Sequence, residues 1–211
     1  MQAKDYVALS ASLLALVLTF LNLYVSHFRS GRLEVHAGER LKFNYFEDGN
    51  VGVAMTVALA NHGARLATVQ RVALLLRHRA SPDSYLFEPL FYQRLDDDGD
   101  KVNDSEPSPI TVAGKSFVIK DVLFRSSYDR PSEYSLATAG TYDGMLLAWT
   151  SDVTVPTIRN SFSLELTQES IAALARYKEE KKTTMVWVSQ SQWRKWAAHW
   201  LTEVEVAALR S

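Results

Sequence analysis

Residues 51–60 read VGVAMTVALA, and their side chains alternate in size: Val51, Val53, Met55, Val57 and Leu59 on one face, Gly52, Ala54, Thr56, Ala58 and Ala60 on the other. A period of two marks a β-strand, because successive side chains point to opposite sides of the pleat, and the bulky face is the one to bury. The pattern repeats in both directions along the chain. It recurs in Leu41, Phe43 and Tyr45; in Val72, Leu74 and Leu76; in Phe117 and Ile119; in Met145, Leu147 and Trp149; and in Phe162, Leu164 and Leu166. Turn-forming groups separate these runs, among them Asp48-Gly49-Asn50, Asn61-His62-Gly63, Ser81-Pro82-Asp83, Ala113-Gly114-Lys115 and Arg130-Pro131. Short strands without long helices between them predict a mainly β domain over residues 33–166, an antiparallel sandwich or barrel. Pro89 lies inside the apolar run Tyr85 to Tyr92. Lacking an N–H, it demotes that run to an edge strand or a bulge.

Two stretches narrow the expectation. LANHGARLATV (59–69) resembles the strand-turn-strand of immunoglobulin-like modules of the CARDB and fibronectin III kind, and AGTYDGMLLAWT (139–150) resembles their penultimate strand, with Tyr142 as a candidate tyrosine corner. The resemblance covers residues 33–166 and implies an immunoglobulin-like antiparallel β-sandwich with an adhesive or scaffolding role. The chain lacks the cysteine pair of many such domains, and the fold does not dictate an activity. The whole chain also resembles single-span bacterial membrane proteins, a likeness that implies no mechanism.

Ahead of this domain stands YVALSASLLALVLTFLNLYVS, residues 6–26, without one charged side chain. A helix of this length is about 30 Å long, the thickness of a bilayer's hydrocarbon core. The expected organisation is therefore a tail over 1–5, a transmembrane helix over 6–26 and a basic juxtamembrane linker over 27–32. A buried core helix is a rival reading, but the flanks change abruptly to Lys4 and Asp5 on one side and His27, Arg29 and Arg32 on the other. A cleaved signal peptide is another, and it asks for a basic start, a shorter apolar run and a small-x-small cleavage site. Tyr6 and Tyr24 stand near the two ends, at headgroup level. Lys4 precedes the span, whereas Arg29, Arg32, Arg40 and Lys42 follow it, so the distribution of cations places the large domain in the cytoplasm, the exported side being the alternative.

Within the span the small and polar residues Ala8, Ser12, Ala15, Thr19, Asn22 and Ser26 recur at alternating steps of four and three, which keeps them on one face. In lipid, small side chains let backbones approach and hydroxyls or amides bond across a helix pair. The expected partners are the bilayer and another membrane protein, or a second copy of this chain; the competing view is that such residues are simply common in spanning helices.

Residues 167–211 turn helical again. Thr167 suits an N-cap, with Glu169 in the first turn and Ile171, Leu174 and Ala175 as the apolar face. A short strand over 183–188 is expected next. The last segment, QSQWRKWAAHWLTEVEVAALR, places Trp193, Trp196 and Trp200 on one face of an amphipathic helix beside Arg194 and Lys195. That face either packs on the domain as core or serves a partner or membrane interface.

No motif announces chemistry. Asp96, Asp98, Asp100 and Asp104 are the candidate calcium ligands, but with Gly99 at loop position six Arg94 falls at one and Ser105 at twelve, which is not an EF-hand register. A solvated loop is the plainer reading. Phosphate-binding glycine loops, nucleophile elbows and zinc-protease helices are missing, no cysteine exists, and the five histidines are scattered. No cofactor is expected. Arg71, Arg77, His78 and Arg79 form a small basic run suited at most to a local phosphate, and with a net charge of −1 no general nucleic-acid surface is expected. The leading expectation is a non-enzymatic, membrane-anchored binding or scaffolding subunit of a membrane-associated complex. The alternatives are an exported envelope domain binding a sugar, lipid or protein, and an enzyme whose site is built on loops.

Overall fold

The computed structural model describes residues 3–28, 30–46, 48–82, 84–98, 101–126, 136, 138–150, 155–180 and 186–189. The apolar rod is a helix, α1 (Ala3–Leu23), continued by a π-helical turn over Tyr24–Phe28. Leu9–Phe28 is long and apolar enough to cross a membrane, and no part of it is buried against the remaining chain. It extends two residues beyond the expected boundary at Ser26, into the basic linker.

The rest is mainly β. Eleven strands are described: β1 (Leu33–Tyr45), β2 (Val51–Asn61), β3 (Ala67–Val69), β4 (Arg71–His78), β5 (Ser84–Leu95), β6 (Lys101–Ser105), β7 (Ile110–Val112), β8 (Ser116–Ser126), β9 (Gly140–Trp149), β10 (Ile158–Leu166) and β11 (Val186–Ser189). Nine of them form one antiparallel sheet in the order β10-β9-β4-β5-β8-β2-β1-β11, with β6 paired to β5. The sheet curls until its two ends meet. β1 lies against β10, where the Ala37 N–H donates to the Asn160 side-chain oxygen at 3.1 Å. A register shift between Ala37 and Leu41 bends β1 at this seam, as an extra residue in one strand does. Near closure removes most of the exposed sheet edge. The result is a nearly closed barrel of one sheet, with the β3–β7 ribbon as a separate pair.

The alternation in 51–60 is realised as expected. Val51, Val53, Met55, Val57 and Leu59 are all buried inside, opposite Tyr45, Phe43, Leu41, Ala37 and Val35 of β1. Full burial of such a side chain contributes about 1.5–3 kcal/mol, so this pair of strands alone anchors a large part of the interior. Val69, Ile110 and Val112 of the ribbon join the same core. So do Ile171 and Leu174 of α2 (Gln168–Glu179), which packs on β1 and β11. Thr167 caps α2 as expected, its Oγ1 accepting from the Ser170 N–H at 3.1 Å; Ala175, expected on the apolar face, is exposed.

Two faces are reversed from the sequence reading. Phe117 and Ile119 point outward and are 68% and 57% exposed, whereas Val122 and Phe124 of the same strand face the core. Met145, Leu147 and Trp149 also point outward, yet with Ala73 and Leu75 they make a second buried cluster on the outer face of β4 and β9. Alternation says which residues share a face, but not which face is inside. Pro89 sits in β5, which is internal between β4 and β8 and not an edge; the bulge is found, as a register shift between Pro89 and Phe91. The stretch 95–106, expected as a loop, is strand at Leu95 and over Lys101–Ser105: Leu95 pairs with Lys101, and β6 folds back on β5. The predicted strand over 183–188 is β11, and 183–185 lie outside the described residues.

Candidate functional site

The most organised polar constellation lies where α1 joins the barrel. β1 starts at Leu33, which pairs with Asn61 at the end of β2, and Asn61 pairs in turn with Ser116 at the start of β8. Asn61 is 2% exposed. Its Nδ2 donates to the carbonyl oxygens of Arg65 (2.8 Å) and Val112 (3.1 Å), and its Oδ1 accepts from the N–H groups of Arg32 (3.2 Å) and Gly63 (2.9 Å). One side chain therefore ties the linker, the 62–66 turn and β7 together, with both amide donors and both acceptor positions spent. The sequence marks Asn61 only as a turn residue; its full role depends on chain segments as far away as Val112.

Backbone contacts reinforce the junction. The His62 N–H donates to the Arg32 carbonyl at 2.9 Å, and the Lys115 N–H to the Gly63 carbonyl at 2.8 Å. A Cβ on Gly63 would run into the Ser30 carbonyl oxygen, and one on Gly114 into that of Ala64. Glycine is needed at both for close approach, and the left-handed position of the second turn falls to Lys115, φ 54°. The Arg65 guanidinium lies over the Phe28 ring, 5.8 Å from its centroid. The last residue of the apolar segment thus stands beside a turn of the barrel.

On α1, Ser12, Ala15, Thr19 and Asn22 keep their spacing of three and four residues and are exposed; the side chain of Ala8 lies outside the description. Thr19 Oγ1 donates to the Ala15 carbonyl at 2.7 Å, which spends its proton within the helix. Asn22 Oδ1 accepts from Ser26 Oγ at 3.2 Å. No acceptor among the described residues takes the Asn22 Nδ2 donors.

The other sequence candidates are not brought together. Asp96 Oδ1 accepts from the Asp98 N–H at 3.1 Å, an Asx-type turn, while Asp104 pairs with Arg94 at 3.2 Å on the hairpin stem. Asp100 lies outside the described residues, among which no three His, Asp or Glu side chains converge as metal ligands. The basic run is dispersed by strand alternation: Arg71 bridges Glu88 at 2.6 Å and covers the Trp149 ring, Arg79 clasps Asp143 at 2.6 Å, and His78 is buried. Its Nε2 stands 3.3 Å from the Ala139 carbonyl oxygen, and its ring meets Tyr142 edge-on. Tyr142 is fully buried and its hydroxyl donates to the Thr138 carbonyl, four residues upstream, at 2.7 Å, the bond a tyrosine corner makes. Trp193, Arg194, Lys195, Trp196 and Trp200 lie outside the described residues.

One outer-face network was not anticipated. Asp121 of β8 accepts from Thr56 Oγ1 at 2.5 Å and pairs with Lys101 at 2.8 Å. Burial pushes its carboxyl up, but the hydrogen bonds from Lys101 and Thr56 and the charges of Lys101 and Lys42 outweigh that, holding it below the usual carboxylate range. The chain matches no model of a known protein family, and no curated protein matches it.

Proposed function

We propose that this chain is a non-enzymatic, membrane-anchored binding or scaffolding subunit, held in the cell membrane by a single pass of α1, with the barrel in the cytoplasm. The observation that carries the reading is Asn22. An amide with unspent donors on a lipid-facing helix has no water to bond with, and an unpaired polar group there is costly; the small residues Ser12, Ala15 and Thr19 on the same stripe let a second helix come close enough to take those donors. The partner helix belongs to another membrane protein or to a second copy of this chain. The immunoglobulin-like kinship is retained as a proposal about ancestry, supported by the Tyr142 to Thr138 bond; a single curled sheet departs from the two-layer form of that class.

A membrane two-hybrid comparison tests the contact. Leucine at Ala15 and at Asn22 is expected to weaken association, by about 1 kcal/mol for the lost interhelical bond; unchanged association in the double variant overturns the role of the stripe. Recovery of the unprocessed full-length chain in the detergent-free supernatant overturns the anchor. A reporter at Ser211 that is active only on the exported side overturns the orientation.

A further inference from the structure

Outside α1 and its π-helical turn, the exposed large apolar side chains among the described residues are Leu66, Leu95, Phe117, Ile119, Val155 and Trp187. All but Trp187 lie at the end of the barrel to which α1 is joined. Leu66 is in the β2–β3 turn, Phe117 and Ile119 follow the start of β8 beside Asn61, Leu95 closes β5, and Val155 is in the β9–β10 connection. Exposed apolar groups scattered at random would not gather at one pole, and a clustered patch marks an interaction surface. The same pole carries Arg32, Arg65 and Lys115, all exposed. The carboxylate beside them is Glu34, 3.7 Å from Arg32 and 3.3 Å from His62. Asp96, Asp97 and Asp98 occupy the β5–β6 turn, on the other side of β8.

The occupant follows from the junction. If Leu9–Phe28 is the span, Phe28 is at the membrane surface, and Arg65, over its ring, is at headgroup depth with the turn that carries Leu66. Ser30 and Gly31 lie against Gly63 and Ala67, so the chain meets the barrel at this pole. We propose that this pole is a lipid-contacting surface: Leu66 and Phe117 sit in the headgroup layer of the bilayer that holds α1, with Arg32, Arg65 and Lys115 on lipid phosphates. Apolar side chains flanked by cations suit that layer. The aspartates of the β5–β6 turn confine attraction for anionic lipid to the α1 side of the pole, so apolar contact persists in zwitterionic membranes. The proposal rests on the reading of α1 as a membrane span, and it fixes how the barrel is presented to partners.

The chain has no cysteine, so single labels are clean. Full-length variants Leu66→Cys, Phe117→Cys, Glu165→Cys on the opposite pole and Val17→Cys within α1 carry an environment-sensitive fluorophore in phosphatidylcholine vesicles. Headgroup- and chain-labelled nitroxide lipids serve as quenchers. The expected result is severalfold stronger headgroup quenching at positions 66 and 117 than at 165, with chain quenching at 17. Adding phosphatidylglycerol strengthens quenching at 66, and Arg65→Gln with Lys115→Gln removes that increment. Quenching at 17 with positions 66 and 117 behaving like 165 overturns the lipid contact alone, whereas no quenching at 17 overturns the span itself. Insensitivity of position 66 to phosphatidylglycerol overturns the role given to the cations.

Discussion

Replacing Asn61 by alanine removes four hydrogen bonds at once and leaves two N–H groups and two carbonyls without their partner. The four are not equal: those to Gly63 and Val112 are buried, and those to Arg32 and Arg65 are part-buried. A net bond contributes about 0.5–1.5 kcal/mol, with the upper end for groups that water cannot reach, so the expected loss is about 3–4 kcal/mol. In a domain of this size each kcal/mol moves the melting temperature by about 2–4 °C, which makes a drop of about 10 °C. Thermal unfolding of the full chain in detergent, followed by far-UV circular dichroism, reads it directly. Asn61→Asp is expected to be at least as damaging, since it sets an oxygen against the carbonyls of Arg65 and Val112. His62→Ala, one residue away on an exposed side chain, is expected to change little. A shift below about 2 °C for Asn61→Ala would refute the assignment of this side chain as the hub of the junction, because water would then be replacing bonds held to be sealed.

Other outcomes follow from single groups. Because the folded-state pKa of Asp121 is lowered, its stabilisation is complete above the unfolded carboxyl's ordinary value and is lost as the pH falls through the folded value; the stability curves of the wild type and Asp121→Asn are expected to separate near neutrality and converge in acid. Tyr142→Phe deletes the bond to Thr138 and is expected to cost about 1 kcal/mol in denaturant titration, and no change would count against the corner. On the outer cluster of Ala73, Leu75, Met145, Leu147 and Trp149, all at most 5% exposed, Leu86 is the partly buried apolar neighbour among the described residues and Arg71 covers the Trp149 ring. Deleting residues 190–211 separates the two expectations for the tryptophan stripe: a lowered melting temperature assigns it to the core, and an unchanged value with a lost partner assigns it to binding.

Much of this architecture is legible locally. Twenty-one uncharged residues in a row determine a membrane-length helix because only lipid or a protein core tolerates them. Size alternation determines strands, Thr167 determines a helix start, and Pro89 narrows its run to an edge or a bulge because it brings no N–H to the ladder. Tertiary structure decided the rest. Whether Phe117 or Val118 faces the core, and whether β5 is an edge, depend on how the sheet curls and which distant strands it brings together; alternation is symmetric with respect to inside and outside. Asn61 is a turn residue to its neighbours in sequence and becomes a hub only when Arg32 and Val112 arrive beside it. The pole of exposed apolar side chains exists for the same reason, since its members come from segments far apart in the chain that meet only in the closed sheet.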